Sequence, residues 1–127
     1  MRDHGNRLAP SGVEKIAKPW GHELIFAKTE RYVGKILHVA AGESLSLQYH
    51  EMKEETLFVV RGRVRLTAEW EGQRRVLELG EGEAFHVPPR MIHRIEGIVD
   101  SDIAEVSTTE LDDVVRLEDR YGRVEKS

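Results

Sequence analysis

Hydrophobic and polar positions alternate along most of the chain, in runs too short for helices. The clearest run is Arg63-Val-Arg-Leu-Thr-Ala-Glu-Trp70, where Val64, Leu66, Ala68 and Trp70 turn inward and Arg63, Arg65, Thr67 and Glu69 turn outward. Glu71-Gly72 follows, a pair suited to a tight hairpin into Gln73–Glu78. Similar segments at Glu23–Ala27, Tyr32–Val39, Leu45–Tyr49, Glu55–Val60, Ala84–Val87, His93–Gly97 and Asp102–Ser107 are separated by turns, several of them marked by glycine or proline. Short strands at this spacing predict an all-β sandwich or barrel. Only the tail, Thr109–Asp119, has mixed spacing that supports a helical turn. Residues 1–12, polar and carrying Gly5, Pro10 and Gly12, read as a flexible lead. Residues 13–127 then form a single domain.

Composition narrows the function classes. A chain of 127 residues with 39% hydrophobic content is long enough for one substantial core. Charged residues make up 33%, but the signs are interspersed and the net charge is −4, so no broad basic surface points to nucleic acid. Arg61, Arg63 and Arg65, two apart, read as one solvated strand face paired with Glu69 and other acids. The absence of cysteine excludes a disulfide framework and thiol catalysis. The first ten residues lack the apolar core of a signal peptide, and no run reaches the roughly 18 apolar residues of a membrane helix. The expected location is cytoplasmic.

The candidate chemistry lies in Gly42-Glu-Ser-Leu-Ser-Leu-Gln48-Tyr-His50-Glu-Met-Lys-Glu-Glu55 and, after a Pro-Pro corner, His93. Gln48 and His50 are two apart, so on an extended strand both leave the same face. Glu55 opens the apolar run Leu57–Val60 after a polar turn, and His93 brings a second imidazole. Two imidazoles, a carboxylate and an amide oxygen suit a divalent cation such as zinc, iron, manganese, cobalt or nickel. Gln48 has an alternative role toward substrate, which leaves His50, Glu55 and His93 as a two-histidine, one-carboxylate triad of the kind non-haem iron oxygenases use.

Gly42 through Gly62 resembles the first motif of the cupin superfamily. Gly82 to His93 resembles the second, with Arg90 where that motif usually has glycine. Lys18-Pro-Trp-Gly21, Leu45–His50, His93-Arg94 and Arg116–Arg123 are similar to signature stretches of the C-terminal domain of type II mannose-6-phosphate isomerases, over roughly residues 18 to 123. The resemblance implies a cupin double-stranded β-helix, or jelly-roll barrel, holding metal through Gln48, His50, Glu55 and His93. It implies a metal-dependent sugar or sugar-phosphate isomerase of carbohydrate and polysaccharide metabolism, and a homodimer. Lys53 stands where that family has arginine, and an ammonium cannot reproduce the bidentate fork of a guanidinium on a phosphate. The large nucleotidyltransferase domain of the bifunctional enzymes has no trace in these residues.

Aldose–ketose isomerisation needs a Lewis acid on the oxygens and a base near the carbons. Glu105, which matches a family glutamate, is the candidate base, with Glu54 and His86 as lesser ones. Lys35, inward by the parity of Leu37 and Val39, is costly to bury without an anion, so Lys35 or Lys53 would neutralise a phosphate. His86 faces either cavity or solvent, Arg94 braces the sheet, and Trp20 packs. The alternatives to an isomerase are a cupin-type oxygenase and a sugar-binding cupin without catalysis.

Overall fold

The computed structural model describes residues 12–124 and, within them, consists of strands and connecting turns without a helix. In chain order the strands are β1 (Glu14–Lys18), β2 (Gly21–Lys28), β3 (Val33–Val39), β4 (Leu47–Tyr49), β5 (Glu55–Arg61), β6 (Arg63–Trp70), β7 (Gln73–Gly80), β8 (Ala84–Val87), β9 (His93–Gly97), β10 (Ser101–Ser107) and β11 (Val115–Glu118). One sheet runs β1-β2-β3-β10-β5-β8 and the other β11-β4-β9-β6-β7. Every pairing is antiparallel, and β10 inserts between β3 and β5 as β9 inserts between β4 and β6. That interleaving is the jelly-roll form of an all-β fold.

The alternation read from β6 sets its packing. Val64, Leu66 and Ala68 are buried with Ile95 of the adjacent β9 against Leu37, Val39, Leu57, Val59, Val87 and Ile103 of the facing sheet. Trp70 closes one end beside Phe85, with the Arg75 guanidinium 4.5 Å over its ring. Trp20 is buried in the same cluster, as a packing residue should be. Glu71 and Gly72 both take positive φ, as a two-residue hairpin requires.

Three expectations change. The tail forms β11, paired with β4, and not a helical turn; its inward residues are few, so strand spacing does not stand out. The three arginines do not share one strand face, because Gly62 separates β5 from β6. Its φ of 95° suits glycine, and a Cβ there would run into the Ser101 hydroxyl. Arg61, Arg63 and Arg65 pair instead with Asp102, Glu78 and Glu96. β1, Glu-Lys-Ile-Ala-Lys, is an additional edge strand with too little apolar content to be seen by periodicity. The expected lead lies outside the described residues except for Gly12.

The outer face of the six-stranded sheet carries an apolar row. Leu24, Ile36, Ala104, Phe58 and Ala84 lie in register across five strands. Phe26, Val60 and Val106 add exposed apolar surface on that side.

Candidate metal centre and its cavity

The ligand candidates are assembled by chain path. His50 follows the end of β4, and the turn after it is tied down by Asp113, whose carboxylate accepts the backbone N–H groups of Glu51, Met52 and Lys53 at 3.0, 2.7 and 3.0 Å. This turn delivers Glu55 to the start of β5 with its side chain inward. His93 opens β9 directly beside Gln48 of β4. His50, Glu55 and His93 are all buried, each offering one ligand atom within 4.8 Å of the others. Glu55 sits between the imidazoles, with Oε1 3.4 Å from His50 Nε2 and Oε2 3.4 Å from His93 Nε2.

Both imidazoles have their tautomer fixed from behind. His50 Nδ1 lies 2.6 Å from the Asp113 carbonyl oxygen and His93 Nδ1 2.9 Å from that of Met91. A carbonyl only accepts, so each Nδ1 carries a proton and each Nε2 is turned toward Glu55. His50 Nε2 and Glu55 Oε1 are buried without a hydrogen-bond partner among the described residues. With both Nε2 atoms deprotonated, two imidazole lone pairs and a carboxylate converge on one point and repel unless a cation lies among them. The donor set therefore fits a divalent metal ion.

Gln48 lines the same cavity, its amide oxygen accepting the Ser46 hydroxyl at 2.6 Å. Arg90, at the usual glycine position of the second motif, has φ of 72°. It thus keeps the left-handed backbone for which glycine is preferred, and its N–H donates to the His50 carbonyl at 2.6 Å.

A second cluster of charge adjoins the triad. Lys53 Nζ is 3.2 Å from Glu55 and 3.1 Å from Glu105, all three buried. One ammonium thus serves two carboxylates. Burial pushes the Glu55 carboxyl up, but the nearby His50 and His93 nitrogens and the charge of Lys53 outweigh it and hold that carboxyl well below the usual range. Burial and the charge of Glu55 push the Glu105 carboxyl up, against the pull of Lys53 and Lys35. Burial alone would lower Lys53, yet Glu105 and Glu55 raise it, so it remains an ammonium. Lys35 is inward as its parity requires, with its Nζ 3.4 Å from Glu23.

The lesser base candidates are not in this group. His86 and Glu54 are exposed and bind each other at 2.6 Å on the outside of the barrel, because Phe85 and Val87 take the inward parity of β8. Arg94 braces the outer surface against Glu118 at 3.5 Å. Sequence reasoning missed Glu23, Asp113 and Ser46. Glu23 had a signal in its position two residues before Ile25 on a strand. Asp113 had none, since its role depends on a turn sixty residues earlier in the chain.

Asp113→Asn tests the support behind His50. Loss of the charged acceptor of three N–H groups is expected to weaken metal binding by about 10–100-fold, measured by titration of metal-free protein. Those N–H groups hold the Asp113 carboxyl below its ordinary value. Its stabilisation is therefore complete above the usual carboxylate range, near pH 3.9, and is lost as pH falls through the depressed folded-state value. The variant should lack that part of the acid dependence of Tm.

The cavity over this site has a volume of about 340 Å³, within the usual range of about 300–1,000 Å³ for small-molecule sites. Gln48, His50, Glu55, Lys35, Lys53 and Glu105 open onto it, with Trp20 in its wall, while His93 lies beneath. No helix of the described residues is long and apolar enough to cross a membrane.

Solved structures with this fold include the capsular polysaccharide assembling protein CapF of Staphylococcus aureus, at TM-score 0.70 and 19% identity over 84% of this chain and 34% of that one. Oxalate decarboxylase of Bacillus subtilis matches at TM-score 0.75 and 17% identity over 91% of this chain and 34% of that one. At such identities the likeness is one of fold, the cupin jelly-roll barrel. Sequence relatives are nearer. The chain is 41% identical over 115 residues to mannose-1-phosphate guanylyltransferase ManC of Salmonella typhimurium, covering 87% of this chain and 23% of that protein. It is 32% identical over 126 residues to the alginate biosynthesis protein AlgA of Pseudomonas putida, covering 95% of this chain and 25% of the relative. The chain thus spans about a quarter of the length of these relatives. Residues 6–119 match the family model for the mannose-6-phosphate isomerase C-terminal domain, and with the jelly-roll barrel and the likeness to ManC and AlgA this makes the chain a member of that family.

Proposed function

We propose that this domain is a metal-dependent isomerase that interconverts an aldose phosphate and its ketose, as mannose 6-phosphate and fructose 6-phosphate are related. The observation that carries the reading is the adjacency of two unlike carboxylates in one cavity. Glu55 is held ionised among the imidazoles, while Glu105, 3.1 Å from the shared Lys53 ammonium, is pushed toward neutrality. Such a separation of roles suits one metal ligand and one proton-transfer group. A divalent ion bound by His50, Glu55 and His93, with Gln48 as a fourth ligand, would supply Lewis acidity toward the sugar oxygens; zinc, manganese, iron, cobalt and nickel all suit the set.

The residues of the chain do the rest. Glu105 takes a proton from one carbon and returns it to the neighbour. Lys53, fixed between two carboxylates, holds Glu105 in place and stabilises its ionised form. Lys35 reaches substrate oxygens from the Glu23 side of the cavity. Family membership supports the substrate class, and the alginate and mannose-nucleotide relatives support a part in polysaccharide biosynthesis; the proposed location is the cytoplasm. Residues 13–127 act as one unit in this reading. A second copy on the apolar row of the six-stranded sheet's outer face would make a homodimer, measurable as solution mass by light scattering.

The test is metal analysis of the purified protein. Conversion of mannose 6-phosphate to fructose 6-phosphate is then followed as each metal is restored to chelated protein, with His50→Ala as control. Turnover that returns with metal and is absent in the variant is the expected result. Stoichiometric metal without turnover would favour a non-catalytic sugar-binding cupin. Oxygen uptake with iron alone, tolerant of Gln48→Ala, would favour the oxygenase.

A further inference from the structure

Resting on the sugar-phosphate reading, we propose that Arg116, rather than Lys35 or Lys53, binds the phosphate. Arg116 of β11 is in register with Gln48 of β4, which is itself in register with His93 of β9. Directly paired residues of adjacent strands project to the same face, so Arg116 continues the row of site residues outward from the metal ligands. It lines the cavity, and its Nε is buried with no hydrogen-bond partner among the described residues.

The other cations of the cavity are already engaged. Lys53 is shared by Glu55 and Glu105, and both Lys35 and Lys18 lie against Glu23. Arg123 is bound through two nitrogens to Asp119, at 2.8 and 3.0 Å. Lys28 stands exposed at the rim. Among the described residues Arg116 has no carboxylate within salt-bridge distance, and it alone combines that freedom with a partly buried position and a planar fork of donors. A guanidinium of this kind binds a phosphoryl group through two parallel hydrogen bonds, which an ammonium cannot do. The register also gives the substrate its direction: phosphate at β11, sugar carbons across Gln48, and the reacting end against Glu105 and the triad.

Binding of inorganic phosphate, a hexose 6-phosphate, the unphosphorylated hexose and a hexuronate is measured by calorimetry on metal-loaded wild type, Arg116→Gln and Arg116→Lys. Wild type should bind phosphate and the hexose phosphate. Arg116→Gln should lose roughly 10–100-fold in affinity for both, the worth of a charge-assisted pair, with affinity for the plain hexose unchanged. Arg116→Lys should keep part of the phosphate affinity, and metal content and Tm should match wild type in both. Phosphate binding equal in Arg116→Gln and wild type, or no phosphate binding by wild type, overturns the assignment. Tighter binding of the hexuronate than of the hexose phosphate overturns it too, since the anion is then a carboxylate. None of these readouts needs turnover: an inactive domain that loses phosphate in Arg116→Gln keeps the assignment while the isomerase reading fails. An active Arg116→Gln with unchanged KM does the reverse.

Discussion

Glu105→Gln is expected to lower turnover of the sugar phosphate by about 10²–10⁴-fold while leaving metal content unchanged, the usual range for loss of a positioned proton-transfer group. An amide fills the same space and still accepts from Lys53, so the fold should persist, but it cannot take up a proton from carbon. The sign of the pH dependence is fixed by the same environment. A base works when deprotonated, and burial together with the charge of Glu55 raises the Glu105 carboxyl. In wild type kcat/KM should therefore fall as pH drops through that raised value, and in the variant this acid limb should vanish. Stopped assays across pH, with metal analysis of each sample, measure both. Activity within tenfold of wild type, with the limb intact, would remove Glu105 from the chemistry.

Glu55→Gln should instead act on the metal. Losing a hydrogen-bond partner behind a ligand costs about 10–100-fold in metal affinity, so losing the only anionic ligand of the triad should cost more than about 100-fold. Dialysis against a chelator followed by metal analysis reads this directly. The fold should tolerate the change better than most buried charge deletions. Leaving a buried ion without its partner costs about 3–5 kcal/mol, but Lys53 retains Glu105 at 3.1 Å. With the charge of Glu55 gone, Glu105 and Lys53 form a one-to-one pair, and the Glu105 carboxyl should titrate lower than in wild type. Unchanged metal affinity in Glu55→Gln would mean that the ion, if any, binds elsewhere.

These two variants separate parts of the site that the sequence made unequally visible. Strand alternation located most of the barrel because β3, β5, β6 and β10 each bury one parity more deeply than the other. It also gave Lys35 its inward direction, from Leu37 and Val39 beside it, while Glu105 was singled out by its match to a family glutamate. The ligand candidates were visible from spacing, since Gln48 and His50 on one strand and Glu55 after a short turn leave little freedom of placement. What periodicity could not supply was pairing across the sheets. Nothing local tells that Lys53, on a turn that looks solvent-facing, is buried between Glu55 and Glu105. β11 was hidden for a related reason: Val115–Glu118 is a short edge segment that buries little, and only its ladder with β4 makes it a strand. The parity of Phe85 and Val87 could have settled His86, because two apolar neighbours on a strand leave the residue between them outside.

The proton positions on His50 and His93 are set by oxygen atoms of the main chain, at Asp113 and Met91. Every residue has that carbonyl, so the instruction is stored in the route of the polypeptide and not in the identity of a side chain. Drift at position 91 can change the side chain without erasing the tautomer of His93. A lineage can therefore rewrite the cavity wall and exchange one substrate for another while the imidazoles stay ready for an ion.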